Sequence, residues 1–309
     1  MYGMNSQQVS KRNQTKKNRI EEIDLMRGIP ILVVVLYHFC WTFYQMMGLF
    51  QNRKEMFQQY PNLSDFVSFL GVDILGGRNV VIQDFIVPLI GGLFIFVCGI
   101  SSILARNNRK RALLLWICAL AISGATYLVS YIIQDDCFID WGVIHLMAFS
   151  VSTYALLEWI FSKFQRKVPV QLCLLIAGVI FFFAIITSSG YNIFTGEEFR
   201  AWKVKSISGL FPERYKNASY FFLQALGKYE GVTDWWPILP YTGVFYFGVT
   251  IGKLLYEENR RSRLPFLRSL YVFRPLCFIG RHTIWIYVLH QPIIIAVLFV
   301  IFSIMGFRL

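Results

Sequence analysis

The chain has 309 residues, of which 56% are hydrophobic, 17% are aromatic and only 16% are charged. Soluble domains carry about 25% charged residues, so this composition argues against an ordinary soluble protein. The net charge of +12 would suit a nucleic-acid partner, but the basic residues stand between long apolar blocks, and we expect no nucleic acid to bind.

The apolar residues form blocks of around twenty, the length that a helix needs to cross ~30 Å of hydrocarbon. We therefore predict an all-α fold, a polytopic transmembrane helical bundle of about seven or more spans. In chain order the predicted spans are 29–50, 86–105, 112–133, 141–162, 168–188, 237–256 and 284–304. Two weaker apolar stretches, 63–76 and 217–227, are predicted to be re-entrant or interfacial helices.

This pattern divides the chain into a basic cytoplasmic tail over 1–28, an integral membrane domain over 29–304 and a short tail over 305–309. The first apolar run lacks the small-residue cleavage site of a signal peptide, so we expect it to be a retained span. Within the membrane domain, residues 189–236 form a long outer segment that is predicted to help select the substrate.

The distribution of charge predicts the orientation. With a cytoplasmic N-terminus, the inner segments 1–28, 106–111, 163–167 and 253–283 carry 20 Lys and Arg against 5 Asp and Glu, while the outer segments carry 10 against 12. The positive-inside rule favours this orientation, and we expect a multi-pass protein of the plasma membrane. The inner basic surface would contact anionic lipid, or part of it would hold an anionic cytoplasmic ligand.

The six cysteines show no spacing typical of a metal site, and we expect no metal. Five of them lie in or beside apolar blocks, where a thiol behaves as a small hydrophobic group. Cys137 alone lies in a polar loop, with no obvious disulfide partner.

His38 lies inside the first predicted span, ~14 Å from its inner end. Arg27 precedes it by eleven residues, close to three helical turns, so the two side chains would share one helix face. Arg27 could bind a phosphate, and His38 could act as a general base or nucleophile at the other end of the same ligand. The alternative is a neutral histidine that forms a hydrogen bond between packed helices.

The position of Pro30 in the first helix affects the alignment of Arg27 with His38. If the first helix begins near Gly28, Pro30 lies harmlessly in its first turn. If Asp24 is the N-cap, Pro30 kinks the helix and the alignment of Arg27 with His38 loosens.

The last span contains His290, which shares a face with Tyr287 and Gln291 through i, i+3 and i+4 spacing. Pro292 follows and removes a backbone hydrogen bond in mid-membrane, which proteins tolerate mainly beside a cavity or a packed neighbour.

Three further ionisable residues lie near predicted span ends. His145 is near the outer end of the fourth span, within reach of an extracytoplasmic molecule. Asp84 precedes the second span, where it could orient a histidine or cap the helix. His282 lies at the inner interface, where a capping or snorkelling role is expected.

Several motifs together resemble a known family. "EIDLMRGIPILVVVLYH" resembles the signature of membrane acyltransferases, an arginine and a histidine with ten residues between them. Four later pieces, "FIFVCGISSILARNNRKRALLL", "WGVIHLMAFS", "DWWPILPYTGVFYFGVTIGKLLY" and "LCFIGRHTIWIYVLHQPI", resemble the bacterial heparan-α-glucosaminide N-acetyltransferase-like proteins. The five pieces extend from residue 19 to about 293 and occur in order.

The resemblance implies transfer of an acetyl group from cytoplasmic acetyl-CoA to a glycan or lipid-linked acceptor on the other side, usually at a sugar amine or hydroxyl. It implies that His38 is catalytic, with Arg27 as its cytoplasmic partner, and that His145, His290 and Gln291 line a central cavity. From their positions in the sequence, His145, His290 and Asp84 are the further catalytic candidates. Tyr287 and Gln291 would bind the substrate. The candidates for the CoA phosphates are Arg106, Asn107, Asn108, Arg109, Lys110, Arg111 and Arg281.

A different class of protein also fits the pattern, a transporter or flippase of an anionic or polyprenyl-linked substrate. The intramembrane histidines would then relay protons, and the spans broken by proline and glycine would be hinges. No duplicated half is visible in the sequence, which counts against this class. A catalytically silent scaffold would leave the alignment of Arg27 with His38 unexplained. The sequence gives no indication of oligomeric state.

Overall fold

The computed structural model describes residues 20–71, 87–133, 138–188, 234, 236–258, 261–268 and 271–308. These residues form helices and connecting turns, and they contain no β-strand. The chain divides into two compact units, one built from residues 1–94 and 261–309 and the other from residues 95–260.

The helices follow the predicted spans closely. They are α1 (Glu21–Leu49), α2 (Arg53–Gln59), α3 (Pro61–Phe69), α4 (Val87–Leu104), α5 (Asn108–Ile133), α6 (Val143–Lys163), α7 (Val170–Ser188), α8 (Ile238–Tyr256), α9 (Arg274–Arg281) and α10 (Thr283–Met305). Two 3₁₀ turns, Pro265–Arg268 and Tyr271–Phe273, precede α9.

Each of the seven predicted spans coincides with one helix, which confirms the all-α prediction for the described part of the chain. Within that part, five helices are long and apolar enough to cross a membrane, namely α1, α5, α6, α8 and α10. Helices α4 and α7 are also apolar but shorter over their clearly apolar portions. Helix α3 falls on the weaker stretch 63–76, whereas 217–227 lies outside the described residues.

The segment 1–28, predicted as a basic tail that leads into the first span, is already helical over its last residues. Helix α1 begins at Glu21, with Ile20 as its N-cap, and Pro30 lies inside it. Neither alternative for Pro30 is therefore right, since the helix begins before Gly28 and Asp24 lies within its first turn. The charges that made this stretch look like a tail belong to a packed helix, because Glu22 and Asp24 are buried.

One hydrophobic cluster holds α1, α2, α3 and α10 together in the first unit. The ring of Phe302 meets Phe43 and Phe50 edge to face, at centroid distances of 5.2 and 5.4 Å. This is a favourable geometry for aromatic side chains. Later residues of α1 contact later residues of α10, so the two helices run parallel. The predicted topology requires this of the first and last spans.

The short helix α9 packs against the beginning of α1 with the two backbones in close contact. A Cβ atom at Gly28 would collide with the carbonyl oxygen of Leu276, and one at Gly280 would collide with the carbonyl oxygen of Asp24. These contacts pair earlier residues of α1 with later residues of α9, so the two segments are antiparallel. Only glycine fits at both positions.

The second unit contains most of α4 and all of α5 to α8. Its core includes the fully buried side chains of Val97, Leu146, Val151, Phe245 and Val249. The first N–H group of α6, that of Val143, donates to Oδ2 of Asp234, 3.4 Å away. Asp234 therefore caps α6 rather than the helix that follows it in sequence.

We predict that Gly28→Ala destabilises the full-length protein. The added methyl group must force α1 and α9 apart, and overpacking of this kind costs about 1–3 kcal/mol. The matched control is Gly48→Ala in the same helix, where a Cβ meets nothing within 4 Å. Thermal melting in detergent should show a clear fall in Tm for Gly28→Ala and little change for Gly48→Ala. Equal melting temperatures would contradict the close contact.

Candidate active site

Two histidines meet in the first unit, one from α1 and one from α10. Nδ1 of His38 lies 2.6 Å from Nε2 of His290, and the two rings stack with a centroid distance of 4.9 Å and an interplanar angle of 13°. His290 is buried, and His38 is partly buried. The residues are 252 positions apart in sequence, so helix packing alone brings them together.

The hydrogen bonds of His290 determine where the protons lie. Nδ1 of His290 is 2.6 Å from the backbone carbonyl oxygen of Tyr287. A carbonyl oxygen only accepts, so Nδ1 of His290 must carry a proton. In a neutral imidazole the other nitrogen is then an acceptor, and Nε2 of His290 accepts from Nδ1–H of His38.

This assignment leaves one nitrogen of His38 with a lone pair. If His38 is neutral and donates through Nδ1, its Nε2 is unprotonated. A chain of two hydrogen bonds therefore runs from His38 through His290 to the Tyr287 carbonyl, and it presents Nε2 of His38 as a base or nucleophile.

Other side chains of α10 surround the pair. The Tyr287 ring is buried, and its centroid lies 5.4 Å from that of His290 and 6.4 Å from that of Phe94. Nε2 of Gln291 donates to Oγ1 of Thr42, 2.7 Å away, one turn beyond His38 on α1. Oε1 of Gln291 is buried and has no hydrogen-bond partner among the described residues.

A carboxylate stands between two arginines where α1 meets α9. Oδ1 of Asp24 lies 4.0 Å from Nη1 of Arg27, and Oδ2 lies 3.3 Å from Nε of Arg281. Two of the predicted phosphate-binding residues are therefore neighbours across one acidic side chain. Arg27 and His38 are eleven residues apart on one continuous helix, a rise of ~16 Å.

Cys277 lies in the same region, in surroundings that disfavour its thiolate form. It is buried, with Sγ 3.7 Å from the carbonyl oxygen of Glu21. Burial and the nearby charges of Asp24 and Glu21 raise the pKa of its thiol. The thiol therefore stays protonated, and the reactive thiolate is disfavoured.

The basic loop at 106–111, in the second unit, runs into the first turn of α5, and its residues divide into two groups. Asn108 and Arg111 face the helices: Nδ2 of Asn108 donates to the Ser102 carbonyl and to Glu158, at 2.8 and 3.0 Å. Arg111 donates to Oγ of Ser102 and Sγ of Cys98, both at 3.0 Å. These two side chains hold the α4–α5 corner together.

The other four residues of that loop are exposed, namely Arg106, Asn107, Arg109 and Lys110. Oδ1 of Asn107 accepts from the backbone N–H of Lys110, 3.0 Å away, so Asn107 is the N-cap of α5. The side chains of Arg106, Arg109 and Lys110 are the part of this loop that can reach an anion in solution.

His145, also in the second unit, has both ring nitrogens engaged. The backbone N–H of Gly142 donates to Nδ1, 3.2 Å away, and Nε2 lies 3.0 Å from Oγ of Ser123. Oγ of Ser123 donates to the carbonyl of Ile139, 2.7 Å away, so the histidine donates to the serine. That direction is opposite to the one a base needs to activate a hydroxyl. His145 and Ser123 join α5 to the start of α6.

Asp84, the remaining predicted site residue, lies outside the described residues. Asp24, Thr42 and Ser123 were not among the residues predicted from the sequence to form a site. Asp24 could have been found from its i, i+3 spacing to Arg27, and Thr42 from its i, i+4 spacing to His38. Ser123 carries no such signal, because its partner lies on another helix.

A comparison with known families finds one match. The family described as heparan-alpha-glucosaminide N-acetyltransferase, catalytic, matches residues 19–83 and 65–292, which together cover most of the chain. No curated protein and no solved structure matches.

We predict that His38 and His290 are both Nδ1-protonated tautomers, because the Tyr287 carbonyl orders the chain of donors. Solid-state ¹⁵N NMR of histidine-labelled protein in lipid distinguishes Nδ1–H from Nε2–H rings. The chain has four histidines, so loss of one signal in His38→Asn and another in His290→Asn assigns the pair. An Nε2–H ring at His38 would contradict the assignment.

Proposed function

Because the chain belongs to the family of the heparan-alpha-glucosaminide N-acetyltransferase catalytic domain, we propose that it transfers an acetyl group from cytoplasmic acetyl-CoA to an extracytoplasmic acceptor. Family membership and the apolar helices make the protein a membrane acetyltransferase. Beyond this, we propose that acetyl-CoA is the donor and that a sugar hydroxyl or amine is the acceptor. We also propose that the protein lies in the plasma membrane with its N-terminus in the cytoplasm.

The observation that carries the proposal is the chain of hydrogen bonds from His38 through His290 to the Tyr287 carbonyl, which leaves Nε2 of His38 unprotonated. As the acceptor hydroxyl or amine attacks the thioester carbonyl, Nε2 takes its proton, the carbon–sulfur bond breaks, and the proton passes to the departing thiolate. In the other route, Nε2 attacks the carbonyl first, the carbon–sulfur bond breaks and CoA leaves as the thiolate. The acceptor then attacks the acetyl group on Nε2, the Nε2–acetyl bond breaks, and the proton of the acceptor passes to the thiolate. Both routes use the same lone pair. A thioester is already reactive, so the enzyme mainly needs a base and correct positioning.

His290 supports either route by stabilising charge on His38. When Nε2 of His38 gains a proton or an acetyl group, the ring becomes positive and Nδ1–H becomes a stronger donor. Nε2 of His290, 2.6 Å away, accepts that hydrogen bond. The Tyr287 carbonyl keeps the His290 ring in the orientation that makes this possible.

Gln291 is suited to hold the acceptor. Its buried Oε1 has no hydrogen-bond partner among the described residues, and a buried acceptor of this kind costs free energy until a donor reaches it. A hydroxyl or amine of the acceptor supplies that donor. Oγ1 of Thr42 accepts a hydrogen bond from Nε2 of Gln291 and so fixes the orientation of the Gln291 amide group.

The cations suit the anionic end of the donor. Arg27 lies near the beginning of α1, and Arg281 is the last residue of α9, which packs against it. The exposed Arg106, Arg109 and Lys110, in the other unit, are separate candidates for the same role. Guanidinium groups match phosphate oxygens well. An elongated donor with phosphates at one end and a thioester at the other matches a helix that carries Arg27 and His38 ~16 Å apart.

We predict that His38→Ala abolishes transfer while the protein still folds. Loss of a positioned acid–base group costs about 10²–10⁴-fold in rate. Purified protein in lipid vesicles is incubated with radiolabelled acetyl-CoA and total envelope glycans, and acetylated product is counted. The matched control is His282→Ala, which removes an exposed histidine and should leave the rate within about twofold.

Two results would contradict this proposal. Full activity in His38→Ala would exclude His38 from the chemistry. Movement of a substrate across the vesicle membrane with no acetylated product would instead identify the protein as a transporter, in which the histidine pair relays protons.

We predict a smaller loss for His290→Ala, which keeps Nε2 of His38 but removes its hydrogen-bond partner. A charge-assisted hydrogen bond contributes about 1.5–3 kcal/mol, so kcat should fall about 10- to 100-fold. The same assay measures it, with melting temperature as the check on folding. A loss equal to that of His38→Ala would contradict the supporting role of His290, because removal of a single hydrogen bond to His38 would not account for it.

A further inference from the structure

Asp24 has a position that the proposed chemistry does not yet explain. Its side chain is only 9% exposed, and it lies between arginine side chains that are 29% and 31% exposed, those of Arg27 and Arg281. A buried carboxylate needs positive partners to offset its desolvation, and here both partners come from the group proposed to bind phosphate.

The backbone around Asp24 fixes the spacing of the two arginines. The carbonyl oxygen of Asp24 is the atom that a Cβ at Gly280 would strike, and Arg281 is the next residue along α9. The oxygens of its carboxylate then contact Arg27 and Arg281. One residue therefore joins the two elements twice, once through its backbone and once through its side chain.

Arg281 has N–H donors beyond the one that contacts Asp24. Arg281 meets Asp24 through Nε, and the terminal nitrogens of a guanidinium form the rest of a rigid fork of five N–H donors. Two arginines around one carboxylate keep a net positive charge. Their partly exposed side chains can reach a ligand, whereas the carboxylate is largely covered.

We infer that Asp24 is a positioning residue, which holds Arg27 and Arg281 as a two-arginine seat for the phosphate groups of the thioester donor. This inference rests on the proposed function, since it concerns how the same enzyme binds acetyl-CoA. Asp24 would raise the affinity for the donor indirectly, because it keeps Arg27 and Arg281 in position.

A positioning role for Asp24 and a simple electrostatic effect predict opposite changes in phosphate affinity when the charge of Asp24 is removed. Removing a negative charge beside an anion site should tighten anion binding if only Coulomb attraction matters. If Asp24 positions the arginines, its removal lets two long side chains regain rotamer freedom, and phosphate binding weakens although the site becomes more positive.

The test compares Asp24→Asn with Glu22→Gln, using two donors. Glu22→Gln makes the same change of charge on the same helix, at a buried carboxylate that accepts from Oγ of Ser262 and the N–H of Arg263, both at 2.6 Å. The donors are acetyl-CoA and S-acetyl-N-acetylcysteamine, a thioester without phosphate. KM and kcat are measured for each donor with the full chain in lipid vesicles.

For Asp24→Asn we expect KM for acetyl-CoA to rise about tenfold, which corresponds to one charge-assisted hydrogen bond, with kcat changed by less than about twofold. KM for S-acetyl-N-acetylcysteamine should stay unchanged, and Glu22→Gln should alter neither donor. If Asp24→Asn fails to fold, Asp24→Glu replaces it. That variant keeps the charge but moves it by one methylene, and the same rise confined to acetyl-CoA is expected.

An unchanged or lower KM for acetyl-CoA would overturn the inference, as would an equal loss with both donors, which would show a purely structural role. These outcomes leave the proposed function intact. If the wild-type protein transfers acetyl from neither donor, the proposed function itself fails.

Discussion

The site depends on one constraint, that a backbone carbonyl can accept a hydrogen bond but cannot donate one. The Tyr287 carbonyl therefore requires the proton of His290 to be on Nδ1, and this in turn requires His38 to donate through its own Nδ1. The nitrogen of His38 that keeps its lone pair is thus selected by a group on another helix. A histidine without this partner would be free to adopt either tautomer.

In the first unit, the residues proposed to take part in the reaction lie on α1 and on the helices of the last part of the chain. Helix α1 places Arg27 near its beginning and His38 three turns later, with Thr42 one turn further on. Each side chain meets a partner from the last part of the chain: Asp24 and Arg27 lie beside Arg281, His38 meets His290, and Thr42 meets Gln291. Since α1 and α10 run parallel, His38 and Thr42 follow each other along α1 in the same order as His290 and Gln291 along α10.

Hydropathy was enough to locate the seven long apolar helices, but not α2 and α9, because a span needs about twenty apolar residues and few other segments have them. It failed at residues 20–28, where the charges of Glu22 and Asp24 suggested a solvated tail; their partners, Ser262, Arg263 and Arg281, are more than 200 residues away. Both histidines of the pair were predicted as site residues, but their contact was not, since it depends on packing. Helix phase decided which of the loop residues face inward: Asn108 and Arg111 share a face of α5 by i, i+3 spacing.

The most direct test of the central claim is chemical rescue of His38→Gly by added imidazoles in the acetyl-transfer assay. If Nε2 of His38 supplies the reactive lone pair, the variant should be inactive alone and should regain transfer as imidazole is added. The rescued rate should increase with the basicity of the imidazole used, as Brønsted behaviour requires. A folded His38→Gly variant that transfers acetyl at the wild-type rate, and gains nothing from imidazole, would contradict the account.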